Sequence, residues 1–246
     1  FIGFLSSCEK DDTTSGGSST TIVEDKENIK ATFDNTLVCV EQLKDGDFFQ
    51  SMMQFLQLQN GNFINEDWVE TMFNEMEDVI DLEWVEQNER FSLAQYKGNY
   101  TWNHSTKSWS KTNSNEIIIN FPSEKSKTSN NCSFKISEYT DKEFTVDNDK
   151  VYLPTALKAK LVKDGTEIFN VNMQCIYNAS GFPVPIDATV TVTLNPHTYT
   201  FKMKRLTNTQ FELSASMFSG SGCATSLNTK IALANSDYEN LDLDDD

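Results

Sequence analysis

Two hydrophobic periods divide this chain. Between Glu24 and Leu43 the apolar residues Ile29, Phe33, Leu37, Val40 and Leu43 recur every three or four positions, the spacing of one helical face. Asp45-Gly46-Asp47 interrupts that run, and Asp47 is suited to cap the next helix. Phe48, Phe49, Met52, Met53, Phe55 and Leu56 then form a short, very apolar helix that ends at the turn Asn60-Gly61-Asn62. A third helix is predicted from Asn65. Trp68, Met72, Met76, Ile80 and Trp84 lie along one side, and Glu70, Glu75, Glu77, Asp78, Asp81 and Glu89 lie on the other. Each of these helices is too apolar on one face to stand alone in water.

From about Phe91 the period becomes two. Gly98–Lys111 reads as a hairpin turning near Ser105-Thr106, which sets Trp102 opposite Trp109. Ile117, Ile119 and Phe121 alternate with polar residues, as do Leu157, Ala159 and Leu161 with Lys158 and Lys160. Asp164-Gly165 is a strong two-residue hairpin signal. The returning strand carries Phe169, Val171, Met173, Cys175 and Tyr177 on one face. Further alternating runs follow: Ile186 to Leu194, Tyr199 to Met203, Phe211 to Met217, and a last strand to about Leu233. The turns Asn195-Pro196-His197, Thr207-Asn208-Thr209 and Ser219-Gly220-Ser221-Gly222 separate them.

Strands with one apolar and one polar face must cover the apolar one, by closing into a barrel or by carrying helices. The expected fold is therefore α+β. N-terminal helices (residues 23–90) pack on a long, curved, antiparallel β-meander (91–235), a half-barrel or barrel-like sheet, and the two segments make one domain. Residues 236–246 form an acidic tail.

Charge narrows the partners. Acids outnumber bases 37 to 20, for a formal net charge of −17, and no basic stripe interrupts the excess. Nucleic acid, which is bound by neutralising phosphates, is not an expected partner. The acidity instead keeps an exposed protein soluble.

The N-terminus carries the most specific motif. Leu5-Ser6-Ser7-Cys8 follows the apolar run Phe1-Ile2-Gly3-Phe4. It resembles a bacterial lipobox, which is cut just before the cysteine whose sulfur then carries the lipid. Residues 1–7 read as the remnant of a signal peptide whose charged start and remaining apolar stretch are expected upstream. The run is too short for a transmembrane helix, which needs about 20 apolar residues. Lys10-Asp11-Asp12 resembles the export signal of surface lipoproteins of the Bacteroidota, and Asp12-Thr13-Thr14 their short O-glycosylation sequon. Ser15-Gly16-Gly17-Ser18-Ser19 has flexible-linker composition, so residues 8–22 read as anchor and tether. The resemblance implies lipid attachment at Cys8 through palmitate-type acyl chains, a membrane partner, and an outer-membrane or cell-surface location.

Four further cysteines, Cys39, Cys132, Cys175 and Cys223, form no C-x-x-C pair and no zinc spacing, and no metal or cofactor is expected from them. Three disulfide pairings are open, and Cys175, on the apolar face of its strand, is as well read as a buried thiol. Only two histidines occur, His104 and His197, each in a predicted turn and read as a surface residue. No G-x-S-x-G, H-E-x-x-H or Gly-rich phosphate loop is present.

Trp102 and Trp109 offer flat faces suited to stacking on sugar rings, with His104 nearby to meet hydroxyls; the alternative is a cross-strand pair serving the core. The methionine-rich apolar faces suit either a plastic pocket for an acyl chain or plain core. The leading expectation is a non-enzymatic, lipid-anchored binding protein with a hydrophobic or glycan ligand, shaped like the curved half-barrels of periplasmic lipoprotein carriers. The second is an accessory or structural subunit of an outer-membrane or surface assembly, with an envelope protein partner. A hydrolase of glycans using paired carboxylates ranks third.

Overall fold

The computed structural model describes residues 46–59, 85–86, 90–146, 149–178, 184–220 and 224–233. Cys8, the tether, the first and third predicted helices and the acidic tail lie outside these residues. So do Cys39 and Cys223.

Helix α1 (Asp47–Gln59) is the apolar helix read from the sequence. It begins at Asp47 itself, one place earlier than a cap, and the carboxylate there suits the positive end of the helix dipole. Asp47 Oδ1 also accepts a hydrogen bond from Lys163 Nζ at 2.6 Å, which ties the helix to the sheet. A two-residue strand, β1 (Val85–Glu86), and one turn of helix, α2 (Leu93–Tyr96), precede the main strands.

Those strands are β2 (Gly98–Asn103), β3 (Ser108–Thr112), β4 (Ile117–Phe121), β5 (Cys132–Val146) and β6 (Asp149–Lys163). They continue as β7 (Thr166–Tyr177), β8 (Pro185–Leu194), β9 (His197–Thr207), β10 (Gln210–Ser219) and β11 (Ala224–Ala232). All belong to one sheet of order β11-β10-β9-β8-β7-β6-β5-β4-β2-β3, with β1 paired to β6. The run β4–β11 is an antiparallel meander, and its strands from β6 on follow the alternation and turn signals.

One feature settles what the sequence left open, and a second corrects it. The sheet is open, with β3 and β11 as its ends, and does not close into a barrel. It is also mixed, because β4 pairs parallel with β2, Gly98 lying opposite Ile117. Side-chain polarity explains the exchange. β3 carries Ser108, Ser110, Lys111 and Thr112 and sits mostly exposed at the edge, whereas Ile117, Ile119 and Phe121 of β4 are 0–1% exposed and need apolar neighbours on both sides.

Asp164 (φ 49°) and Gly165 (φ 82°) both take the left-handed conformation of a type I′ turn, so the Asp-Gly hairpin stands where it was read. β5 was not read from the sequence. Its register shifts between Ile136 and Glu138 and again between Thr140 and Asp141. Between and just after these shifts the alternation of buried positions lapses, and it returns in its original phase at Phe144, buried like Cys132, Phe134 and Ile136.

The core lies on the inner face of β4–β7. Ile119, Phe134, Leu161 and Val171 are each no more than 5% exposed. α1 meets this face, with Phe48 stacked on Phe169 at 4.8 Å and Phe55 against Phe121 at 5.0 Å. Phe49, Met53 and Leu56 point away and are 41–56% exposed, so only one side of this very apolar helix serves the sheet.

Candidate functional site

The β2–β3 hairpin brings the two predicted indoles together. Trp102 lies directly opposite Trp109, with ring centroids 5.3 Å apart and planes at 64°. Phe55 of α1 closes on Trp109 edge to face at 6.0 Å, and Trp102 is only 5% exposed. Trp102 is buried and Trp109 half-buried, so the pair presents little ring surface to solvent and packs as an edge-on cross-strand pair. His104 stands apart in the turn. Its Nε2 lies 3.1 Å from Asn130 Oδ1, and Asn130 Nδ2 donates to the carbonyl of Trp102, so the imidazole pins the hairpin to the β4–β5 loop.

A cleft of about 340 Å³ opens at the bend of β5, lined by Arg90, Phe91, Leu93, Lys97, Tyr139 and Asp141. The Arg90 Nε and Nη2 donate to both carboxylate oxygens of Asp141 at 2.5 Å. The guanidinium also lies 4.4 Å over the Tyr152 ring. Tyr152 donates to Glu143 at 2.8 Å, and Lys150 pairs with the same carboxylate at 2.8 Å. Lys150, and then the Tyr152 hydroxyl, hold the Glu143 carboxyl below its usual range, while donating to Glu143 raises the tyrosine. Both oxygens of Asp141 are occupied and the charge is balanced, so the cluster acts as a clamp between the segment before α2 and β5. Arg90 and Asp141 are 51 residues apart, and no spacing rule in the sequence joins them.

The inner face of β8–β11 is different in kind. Along the cross-strand row Met173, Val190, Phe201, Ala215, Leu227, exposure climbs from 1% at Met173 through half-buried Val190 and Phe201 to 60% at Leu227. The apolar face thus continues past the part covered by the core. At one end of it lie His197, wholly buried, and Tyr199, whose hydroxyl is shut from solvent. Among the described residues, neither ring nitrogen of His197 nor the Tyr199 hydroxyl finds a hydrogen-bond partner. This corrects the surface reading of His197. The turn consists of Asn195 and Pro196, so His197 is the first residue of β9, paired with Leu194 and Ser219 on the inward side.

Cys132 and Cys175 are buried free thiols, which removes both from the open disulfide pairings. Burial pushes the Cys175 thiol up to about 11 and raises Cys132, against which the Ser51 hydroxyl acts. Among the described residues no group of His, Cys, Asp or Glu could hold a metal ion, and no helix is long and apolar enough to cross a membrane. No protein-family model, curated protein or solved structure matches this chain.

Proposed function

We propose that this chain is a lipid-anchored binding protein of the outer membrane or cell surface, acting without catalysis. The apolar part of an amphiphile would lie on the inner face of β8–β11. The observation that supports this is the rise in exposure from Met173 to Leu227 along one apolar row. An apolar surface left half-open beside a dense core suits a hydrophobic ligand better than a glycan, for which Trp102 is only 5% exposed. The unpartnered nitrogens of His197 and hydroxyl of Tyr199 border the same face. Each unmet group costs about 1–3 kcal/mol, which a hydroxyl- or carboxyl-bearing head group would relieve. In this reading Cys8 carries the anchor and residues 23–90 form a helical layer over the β4–β7 half, with α1 as its described part.

Native mass spectrometry of the protein purified from its own envelope tests the reading. An amphiphile beyond the anchor lipid is expected, and it should be lost when Phe201→Lys puts a charge on the face. An empty wild-type chain that also fails to take up a fluorescent fatty acid would overturn it. The second reading, an accessory subunit of a surface assembly, is supported by the exposure of Leu227 and Ile231 on β11 (60% and 44%), and predicts a co-purifying polypeptide instead.

A further inference from the structure

The two ends of the sheet are built differently. β3 is five residues long, and its Lys111 lies 4.9 Å over the Tyr100 ring. β11 runs nine residues, Ala224 to Ala232, with no proline and no bulge in its pairing with β10, and Lys230 is its one charge. Short length, proline, bulges and several charges are the devices that keep an edge from pairing, and β11 lacks nearly all of them. Among the described residues no strand occupies its outer side.

The parity of that outer edge follows from one hydrogen bond. Leu233 N donates to the carbonyl of Thr209 at 2.8 Å, continuing the register in which Gln210 faces Ala232. In an antiparallel ladder, pairs that exchange both bonds alternate with pairs that exchange none. Thr225, Leu227, Thr229 and Ile231 therefore bond inward to β10. Ala224, Ser226, Asn228, Lys230 and Ala232 turn their N–H and C=O groups outward.

We propose that this edge pairs with the same edge of a second copy, antiparallel about a twofold axis at Asn228. That register uses every outward group: Asn228 meets its own copy, Ser226 meets Lys230, and Ala224 meets Ala232, for about ten backbone hydrogen bonds across the seam. No two like charges face one another. On the inner side Leu227 lies opposite Thr229 and diagonal to its own copy, so the most exposed apolar side chains of β11 cover each other. The contact is isologous and closes at two chains, because pairing consumes the edge on both. The proposal is independent of whether the inner face holds a ligand.

Native mass spectrometry of the detergent-released, lipidated full chain should show a dimer. Asn228→Pro removes an outward N–H and no inward one, so it should keep the native fold by circular dichroism and give monomers. Charge exchange at the axis tests the register without touching the backbone. Asn228→Lys alone and Asn228→Asp alone each set like charges face to face and should weaken dimerisation about fivefold. Mixing the two variants should restore it as a heterodimer. A monomeric wild type, a complex with a different polypeptide at this edge, or a dimer indifferent to all three substitutions would overturn the proposal.

Discussion

Replacing Phe55 with alanine isolates the bond between α1 and the sheet. The ring is 1% exposed and touches two aromatic neighbours, Phe121 at 5.0 Å and Trp109 at 6.0 Å. Truncating a buried phenylalanine costs about 3–5 kcal/mol. Each aromatic pair lost accounts for about 0.5–1.5 kcal/mol beyond the buried area, which places this site in the middle of that range or above it. An expected loss of about 4 kcal/mol lowers the melting temperature by about 8–16 °C in a domain of this size. Urea unfolding followed by tryptophan fluorescence measures it, and the native emission should also shift to the red as water reaches Trp109. Met53→Ala, two residues away and on the other side of the helix with a side chain 56% exposed, is the control and should cost less than about 0.5 kcal/mol. Equal losses for the two variants, or a loss below about 1 kcal/mol for Phe55→Ala, would refute the assignment of faces on α1.

Gly165→Val should destabilise by about 1–2 kcal/mol through backbone strain alone, since nothing lies within 4 Å of the added Cβ and the position has φ 82°; an unchanged melting temperature would count against the type I′ turn. Arg90→Ala leaves Asp141, only 6% exposed, without its partner. It should cost about 2 kcal/mol, reduced from the fully buried case because Arg90 keeps solvent contact, as read by urea unfolding. The raised Cys175 thiol stabilises the fold fully below the ordinary value near 9.0, and that contribution is lost as pH rises toward about 11, because the unfolded chain ionises first. The alkaline loss of stability should therefore be shallower in Cys175→Ala. In the native state both Cys132 and Cys175 should resist iodoacetamide, by peptide mapping, and react once unfolded. Cys8→Ala should move the protein from the membrane to the soluble fraction; retention at the membrane would contradict lipidation.

What the sequence determined by itself is local in origin. Period-two runs and the Asp164-Gly165, Asn195-Pro196 and Asn208-Thr209 turns are short-range signals, and the strands from β6 to β11 follow them in order. Two tryptophans placed symmetrically about a four-residue turn had to face each other, and Trp102 does face Trp109. Tertiary structure decided everything that depends on which element takes which seat. β4 took the free side of β2, parallel to it, instead of pairing with β3 next in the chain, because its isoleucines needed cover on both sides, an arrangement invisible to a period. Register shifts in the β5–β6 pairing broke the alternation over the middle of β5, so a strand of 15 residues carried no unbroken pattern to read. His197 went inward because the turn ended one residue sooner than the motif suggested. The Arg90–Asp141 clamp joins groups 51 residues apart. The candidate site itself is a difference in cover: the alternation is equally apolar on β7 and β9, and only packing leaves Met173 sealed and Phe201 half-open. Periodicity reports which face seeks an apolar neighbour; whether a neighbour arrives is settled by chain geometry in three dimensions.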